Sequence, residues 1–319
     1  MNAMPDLVTF GETSAVFVAR DVGRMRYCRD YTLRPGGAEA TVAVGVQRLG
    51  FNAAWMSALG DDEMGHYLRG LVAAEGVDVS RVQMVVGAPT AVFLRERLPG
   101  GDARHFYYRK GSAFSGFGPE MLDEAFIASA RRLHLTGISP ALSPACDAAC
   151  WRAVEIARAH GVQVSFDPNV RLALWTAAQA RAGLARYFEA ADLVLPGLED
   201  LQMLFGDTNA EAGLARLQAL GCRNAVLKAG AQDVHVLHDG ARTRLPVAPV
   251  EQPVDLMGAG DALAAGCLAG LLEGRDLVDA TRLGIAVAGL AIQLPGNIEA
   301  MPTRAEVDRA LGGLPSWKR

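Results

Sequence analysis

Short apolar runs alternate with stretches of helical spacing along nearly the whole chain, and that order limits the fold more than any other property of the sequence. Runs at 7–10, 53–59, 133–136, 162–166, 193–195 and 225–227 read as strands, being apolar, brief and bounded by helical segments or glycine. Helical spacing covers 38–49, 64–75, 144–160, 177–189, 199–205 and 210–220, then 258–273, 276–294 and 304–311. Gly50, Gly76 and Gly274 stand where three of these helices should stop, as helix-ending glycines do. Strands alternating with helices predict an α/β fold, a largely parallel sheet covered by helices on both faces.

Two segments break the rhythm. Residues 15–33 and 91–109 alternate like antiparallel ribbons, the second turning at Pro99-Gly100-Gly101-Asp102. No linker or internal repeat separates the rest. The expectation is one domain over 1–319, with a small β lid inserted from about 14–34 and 91–110.

With 319 residues, half of them hydrophobic, the chain can bury a large core. Its net charge of −4 argues against a nucleic-acid surface. No apolar run reaches membrane-spanning length, and Asp6 and Glu12 interrupt the N-terminus early. A cytoplasmic protein is expected, with neither nucleic acid nor membrane as partner. Five cysteines fit reduced thiols better than a disulfide framework. Cys146 and Cys150 share a helix face and read as incidental thiols.

Chemistry concentrates at Asp255-Leu256-Met257-Gly258-Ala259-Gly260-Asp261. The first amides of a helix lack internal partners and lie at the positive end of its dipole. Small residues let a phosphate approach them. A carboxylate one turn away, Asp261, would repel a phosphate but can take a proton from an attacking alcohol. Ligands of α/β sheets bind beyond the carboxyl ends of strands, which singles out Pro35-Gly36-Gly37-Ala38, Asp167-Pro168-Asn169-Val170-Arg171 and Lys228-Ala229-Gly230-Ala231. No Gly-x-x-x-x-Gly-Lys-Ser/Thr is present, which excludes a P-loop enzyme, and no Gly-x-Gly-x-x-Gly follows the first strand.

Together these stretches resemble the ribokinase-like (PfkB) carbohydrate kinases over essentially the whole chain. The resemblance rests on Gly36-Gly37-Ala38, Leu59-Gly60-Asp61-Asp62 with Gly65, and Gly258-Ala259-Gly260-Asp261. Within that family, Phe106-Tyr107-Tyr108-Arg109-Lys110-Gly111-Ser112-Ala113 and His134-Leu135-Thr136-Gly137-Ile138-Ser139-Pro140 look most like the 2-keto-3-deoxygluconate kinases. The resemblance implies a three-layer fold and transfer of the ATP γ-phosphate to the 6-hydroxyl of that sugar acid. It implies Asp261 as base, and the amides of Gly258, Ala259 and Gly260 as the anion hole. It implies Gly37, Phe93, Tyr107, Arg109, Arg171 and Asn297 around the sugar acid. Tyr107 and Arg109, two apart on a strand, would share one face, and an arginine offers a carboxylate a paired donor. Asn169, Arg171, Lys228, Gly230, Ala231 and Asp233, with Gly258 and Gly260, would meet the nucleotide. Glu199 would help hold Mg2+, a monovalent cation such as K+ could sit near Asp255, and subunits could pair through the lid into a homo-oligomer.

The chain departs from the family pattern at several positions. Pro196 replaces a common asparagine ahead of Glu199, and Thr41 another after Gly36-Gly37. Phe93 replaces a tyrosine of the subgroup, and Asp233 brings a negative charge into the nucleotide loop. Asn297 stands for an acidic residue, and Leu256-Met257 for small polar ones. These changes leave two other readings open. One is a PfkB-type kinase for fructose, ribose or another sugar, and the other an idle sugar-acid or nucleotide-binding regulator.

Overall fold

The computed structural model describes residues 4–101 and 103–312. In chain order the strands are β1 (Leu7–Phe10), β2 (Ser14–Val22), β3 (Tyr31–Gly36), β4 (Ala53–Gly60), β5 (Val82–Val85), β6 (Val92–Arg97), β7 (Ala103–Tyr108), β8 (Arg132–Thr136), β9 (Gln163–Asp167), β10 (Leu193–Val194), β11 (Asn224–Lys228), β12 (Asp233–His238) and β13 (Ala241–Pro246). The helices are α1 (Ala38–Arg48), α2 (Glu63–Ala74), α3 (Glu124–Ala128), α4 (Ile138–Leu142), α5 (Pro144–Ala159), α6 (Ala177–Ala190), α7 (Leu198–Phe205), α8 (Ala210–Ala219), α9 (Ala259–Leu272), α10 (Leu277–Ala291) and α11 (Arg304–Ala310).

Among the described residues nine strands form one sheet in the order β13-β12-β11-β10-β9-β8-β1-β4-β5. From β11 to β5 every pairing is parallel; β12 and β13 add an antiparallel edge. Successive strand residues point to opposite faces, and the core divides accordingly. Leu7, Trp55, Leu193 and Val226 pack with α1, α2, α9 and α10. Their neighbours Val8, Met56, Val194 and Ala225 pack with α5 to α8. The expected three-layer ribokinase-like arrangement is present. In α9 all residues from Ala262 to Gly270 are buried, as an all-round apolar helix must be.

The two expected ribbons are β2–β3 and β6–β7. They join through a parallel pairing of β2 with β6, giving a four-stranded sheet of order β3-β2-β6-β7. Asp102, placed in the turn of the second ribbon, lies outside the described residues. Sequence reading missed β5 and β13, whose short or mixed polar patterns give no strong apolar run. Cys146 and Cys150 are both buried thiols on α5, where burial pushes the Cys146 pKa up to about 11.

Candidate active site

Gly258 caps α9 in a left-handed conformation, with φ 80° and ψ 1°, a region that favours glycine. Its open side is filled by Asn297, whose carboxamide carbon would lie 3.3 Å from a Cβ there. Ala259 N–H turns back to Leu256 O at 3.3 Å, and the first helical bond is Ala262 N–H to Gly258 O at 2.8 Å. The amides of Gly260 and Asp261 fall between these two and face outward at the helix start. Two of the four expected site positions thus change emphasis. Ala259 spends its amide on a turn, and Asp261 supplies an amide as well as a carboxylate.

No described residue donates a hydrogen bond to the Asp261 carboxylate or lies within ion-pair distance of it. Burial pushes its pKa up to about 6; the charge of Asp167 adds to this, while Lys228 and Arg171 pull it back. Asp167 ends β9 and Lys228 ends β11, and they pair at 2.6 Å across the carboxyl edge of the sheet. A Cβ on Gly260 would stand 3.4 Å from the Lys228 ammonium, so that charge adjoins the start of α9. Asp200 completes the group. It accepts the amides of Val170 and Gly197, both at 2.7 Å, and burial, with Asp167 beside it, raises its pKa.

Asn169 adopts φ 39°, a left-handed conformation that asparagine tolerates better than most residues. Its amide bonds to Asp167 Oδ1 at 3.1 Å. The same turn leaves Arg171 exposed, its guanidinium bonded, among the described residues, only to the Val170 carbonyl at 3.2 Å. Its charge acts on both Asp261 and His105.

The four-stranded sheet places Phe93 opposite Tyr107, with ring centroids 5.1 Å apart. Arg109 lies beside Tyr107 as expected, but it is not free. Strand β7 stops at Tyr108, and the Arg109 guanidinium still lies over the Tyr107 ring, 5.6 Å from its centroid. It turns back onto Glu12, with Nε–Oε2 at 2.8 Å and Nη2–Oε2 at 2.5 Å, while Ser112 holds Oε1 at 2.6 Å. Its fork is therefore occupied. Gly37 is also reassigned. A Cβ there would meet Thr13 Oγ1 at 2.4 Å and Glu12 O at 2.7 Å, so its bareness serves the protein's own backbone. Thr13 Oγ1 and Asn297 Oδ1 are buried without partners, leaving two unused polar atoms beside Gly37 and Gly258.

Elsewhere the expected nucleotide and metal residues separate. Gly230, at φ 68°, and Ala231 lie exposed in the β11–β12 turn. Asp233 is buried within β12 and paired with Arg244 at 2.8 Å, so its charge is neutralised. Glu199 is exposed in the first turn of α7. No group of three or more His, Cys, Asp or Glu among the described residues is placed to hold a metal ion. The exposed Glu199 carboxylate is the kind of donor that Mg2+ carried on substrate phosphates uses.

Sequence reasoning missed Glu12, Thr13, Glu39, Asp200 and the partner roles of Asp167. Glu39, in the first turn of α1, accepts from Thr136 Oγ1 at 2.7 Å and Ser139 Oγ at 3.0 Å. Burial pushes its pKa up to about 7 against these bonds, and Asp261 adds to the rise. Because the folded value lies above the ordinary 4.5, folding favours the protonated form, and stability is lost as pH rises through that window. Glu39→Gln can still accept both hydroxyls. It should match the parent below pH 4.5 and exceed it above pH 7 by up to roughly 3 kcal/mol. Urea titrations across that range would decide, and a pH-independent gap would refute the argument.

Comparison with known proteins agrees with this geometry. Residues 4–304 match the pfkB family carbohydrate kinase profile. A 2-dehydro-3-deoxygluconokinase of Bacillus subtilis (strain 168) is 34% identical over 310 residues, covering 95% of this chain and 94% of its own. Another of that name, from Thermoproteus tenax, is 35% identical over 321 residues, covering 98% and 96%. The crystal structure of a PfkB protein from Polaromonas sp. JS666 is 36% identical, covers 95% of this chain and 99% of its own, and superposes with a TM-score of 0.87. With an unpartnered carboxylate one turn into a glycine-capped helix, and with matches over almost its full length, the chain belongs to the pfkB family of carbohydrate kinases.

Proposed function

We propose that the protein transfers the γ-phosphoryl group of ATP to the 6-hydroxyl of 2-keto-3-deoxygluconate (2-dehydro-3-deoxygluconate), giving the 6-phosphate. The observation that carries this reading is the Asp261 carboxylate, free of protein partners, beside the open amides of α9 and the Lys228 ammonium. The 6-hydroxyl is placed so that Asp261 takes its proton as the oxygen–phosphorus bond forms. The amides of Gly260 and Asp261, with Lys228, hold the charge on the transferring group. Glu199 would help hold Mg2+, which would supply screening of the phosphate charges. Asn169, Gly230 and Ala231 line the nucleotide side. On the sugar side, Phe93 and Tyr107 cover the acceptor under the lid and exclude water. Thr13 Oγ1 and Asn297 Oδ1 bond its hydroxyls. The carboxylate of the acid goes to Arg171, whose charge is uncommitted, rather than to Arg109.

The Arg109–Glu12 pair favours one rival, a kinase for a neutral keto-sugar, since it removes one of two arginines from the acid grip. An acceptor panel separates the two, with ADP release as readout. 2-Keto-3-deoxygluconate should give the highest kcat/KM; a neutral sugar preferred over every acid would reject the assignment. In the same panel Arg171→Met should raise KM for the acid by about tenfold to a hundredfold, the loss of one charge-assisted contact.

A further inference from the structure

Asp255 stands six residues before Asp261, at the position where a monovalent cation was expected. Its surroundings do not fit one. Arg95, in the middle of lid strand β6, donates from Nη1 to Oδ2 at 2.8 Å and from Nη2 to Oδ1 at 3.1 Å. Met257 N–H reaches Oδ1 at 3.1 Å and Gly296 N–H reaches Oδ2 at 3.4 Å. Both carboxylate oxygens are engaged by a planar fork, and a second cation there would face the guanidinium charge. Burial would raise the Asp255 pKa, but Arg95 and the two amides hold it below the ordinary carboxylate range.

The pair is also a mechanical tie. Asp255 fixes the Met257 amide, one residue before the glycine that caps α9, and the Gly296 amide, one residue before Asn297. Asn297 in turn fills the open side of Gly258. A second lid arginine, Arg34 of β3, lands on the same loop, bonding Pro295 O at 3.2 Å and Glu299 Oε1 at 3.0 Å. A cavity of about 490 Å³ adjoins this tie, with Arg34, Arg95, Val254, Asp255 and Pro295 in its wall, so small solutes can reach it.

We propose that Arg95 is a built-in cation. It takes the place of a bound monovalent ion at Asp255 and couples the position of the lid to the shape of the anion hole, so that the enzyme needs no K+. Arg95 is a positioning residue, since it acts through Asp255 on the amides of the α9 entry. The inference rests on the kinase reading for its rate measurements, and a thermal-unfolding arm keeps it testable if that reading fails.

The experiment compares the full chain with Arg95→Ala and Arg95→Lys in K+ and in tetramethylammonium at equal ionic strength. The parent should show the same midpoint of unfolding in both salts and turnover equal within about twofold, as expected where no cation site is open. Arg95→Ala should lose kcat by about tenfold or more with a smaller change in KM for ATP, the pattern of a misplaced anion hole rather than lost binding. K+ or guanidinium should restore part of that rate and raise the midpoint of this variant alone. Arg95→Lys should fall between the two, keeping the charge without the fork. Strong activation or thermal stabilisation of the parent by K+ would overturn the proposal. So would an Arg95→Ala variant that turns over normally in tetramethylammonium. If Arg95→Ala does not fold, the salt response of the parent and of Arg95→Lys still decides.

Discussion

Asp261→Asn is expected to lower kcat by about three orders of magnitude, within the usual range for loss of a general base, while ATP affinity changes little. Asparagine keeps the size, the backbone amide and the helix start, so the anion hole survives. It cannot accept the proton of the acceptor hydroxyl. Single-turnover assays with equilibrium nucleotide binding separate the two effects, and near-normal turnover would remove Asp261 from the chemistry. The pH dependence gives a second signature. Burial and Asp167 push the Asp261 pKa up to about 6, and only the ionised carboxylate is a base. For the free enzyme, kcat/KM should be flat above that value and fall about tenfold per pH unit below it. In Asp261→Asn the residual rate should lose this acid limb.

Lys228→Met should be the most destabilising single change at the site. Lys228 is the only described cation bonded to Asp167, a side chain just 3% exposed, with Asp200 close by. Burial alone would lower the Lys228 pKa, but Asp167 and Asp200 reverse that and hold it above its ordinary value. The lysine therefore stays charged across the neutral range. Removing it leaves buried carboxylates facing one another, which costs about 3–5 kcal/mol when one partner of a buried pair is lost. The carboxyls can relieve the strain by taking up protons, so the loss should be larger at pH 8 than at pH 5. Adding Asp167→Asn to Lys228→Met should recover most of the lost stability. Urea unfolding of the three variants at both pH values is the test; an equal loss at the two pH values would refute the electrostatic account.

The layered α/β architecture was legible because parallel strands buried on both faces leave continuous apolar runs such as Leu133–Thr136, and glycine stops mark the helices. The glycine cap of α9 was legible for a similar reason, since the Gly258 position, at φ 80°, favours glycine whatever surrounds it. The rest depends on partners distant in sequence. Nothing near Arg109 announces that Glu12 will claim it, and nothing near Asp255 announces Arg95. Polar groups that end strands converge only when the strand order is known. Asp167 and Lys228 become neighbours because β10 is short and β9 and β11 flank it. Charge pairing at a carboxyl edge is a property of topology, which periodicity does not encode.

The parallel pairing of β2 with β6 has a bearing on how the chain assembles. The segment between them contains α1, β4, α2 and β5, so registering Ala15 against Val92 closes a long loop. That closure is entropically costly for a flexible chain and becomes cheap once the intervening βα units have docked. The four-stranded sheet thus rests on a non-local pairing, the kind of contact that repays its closure cost only once the segments between are in place.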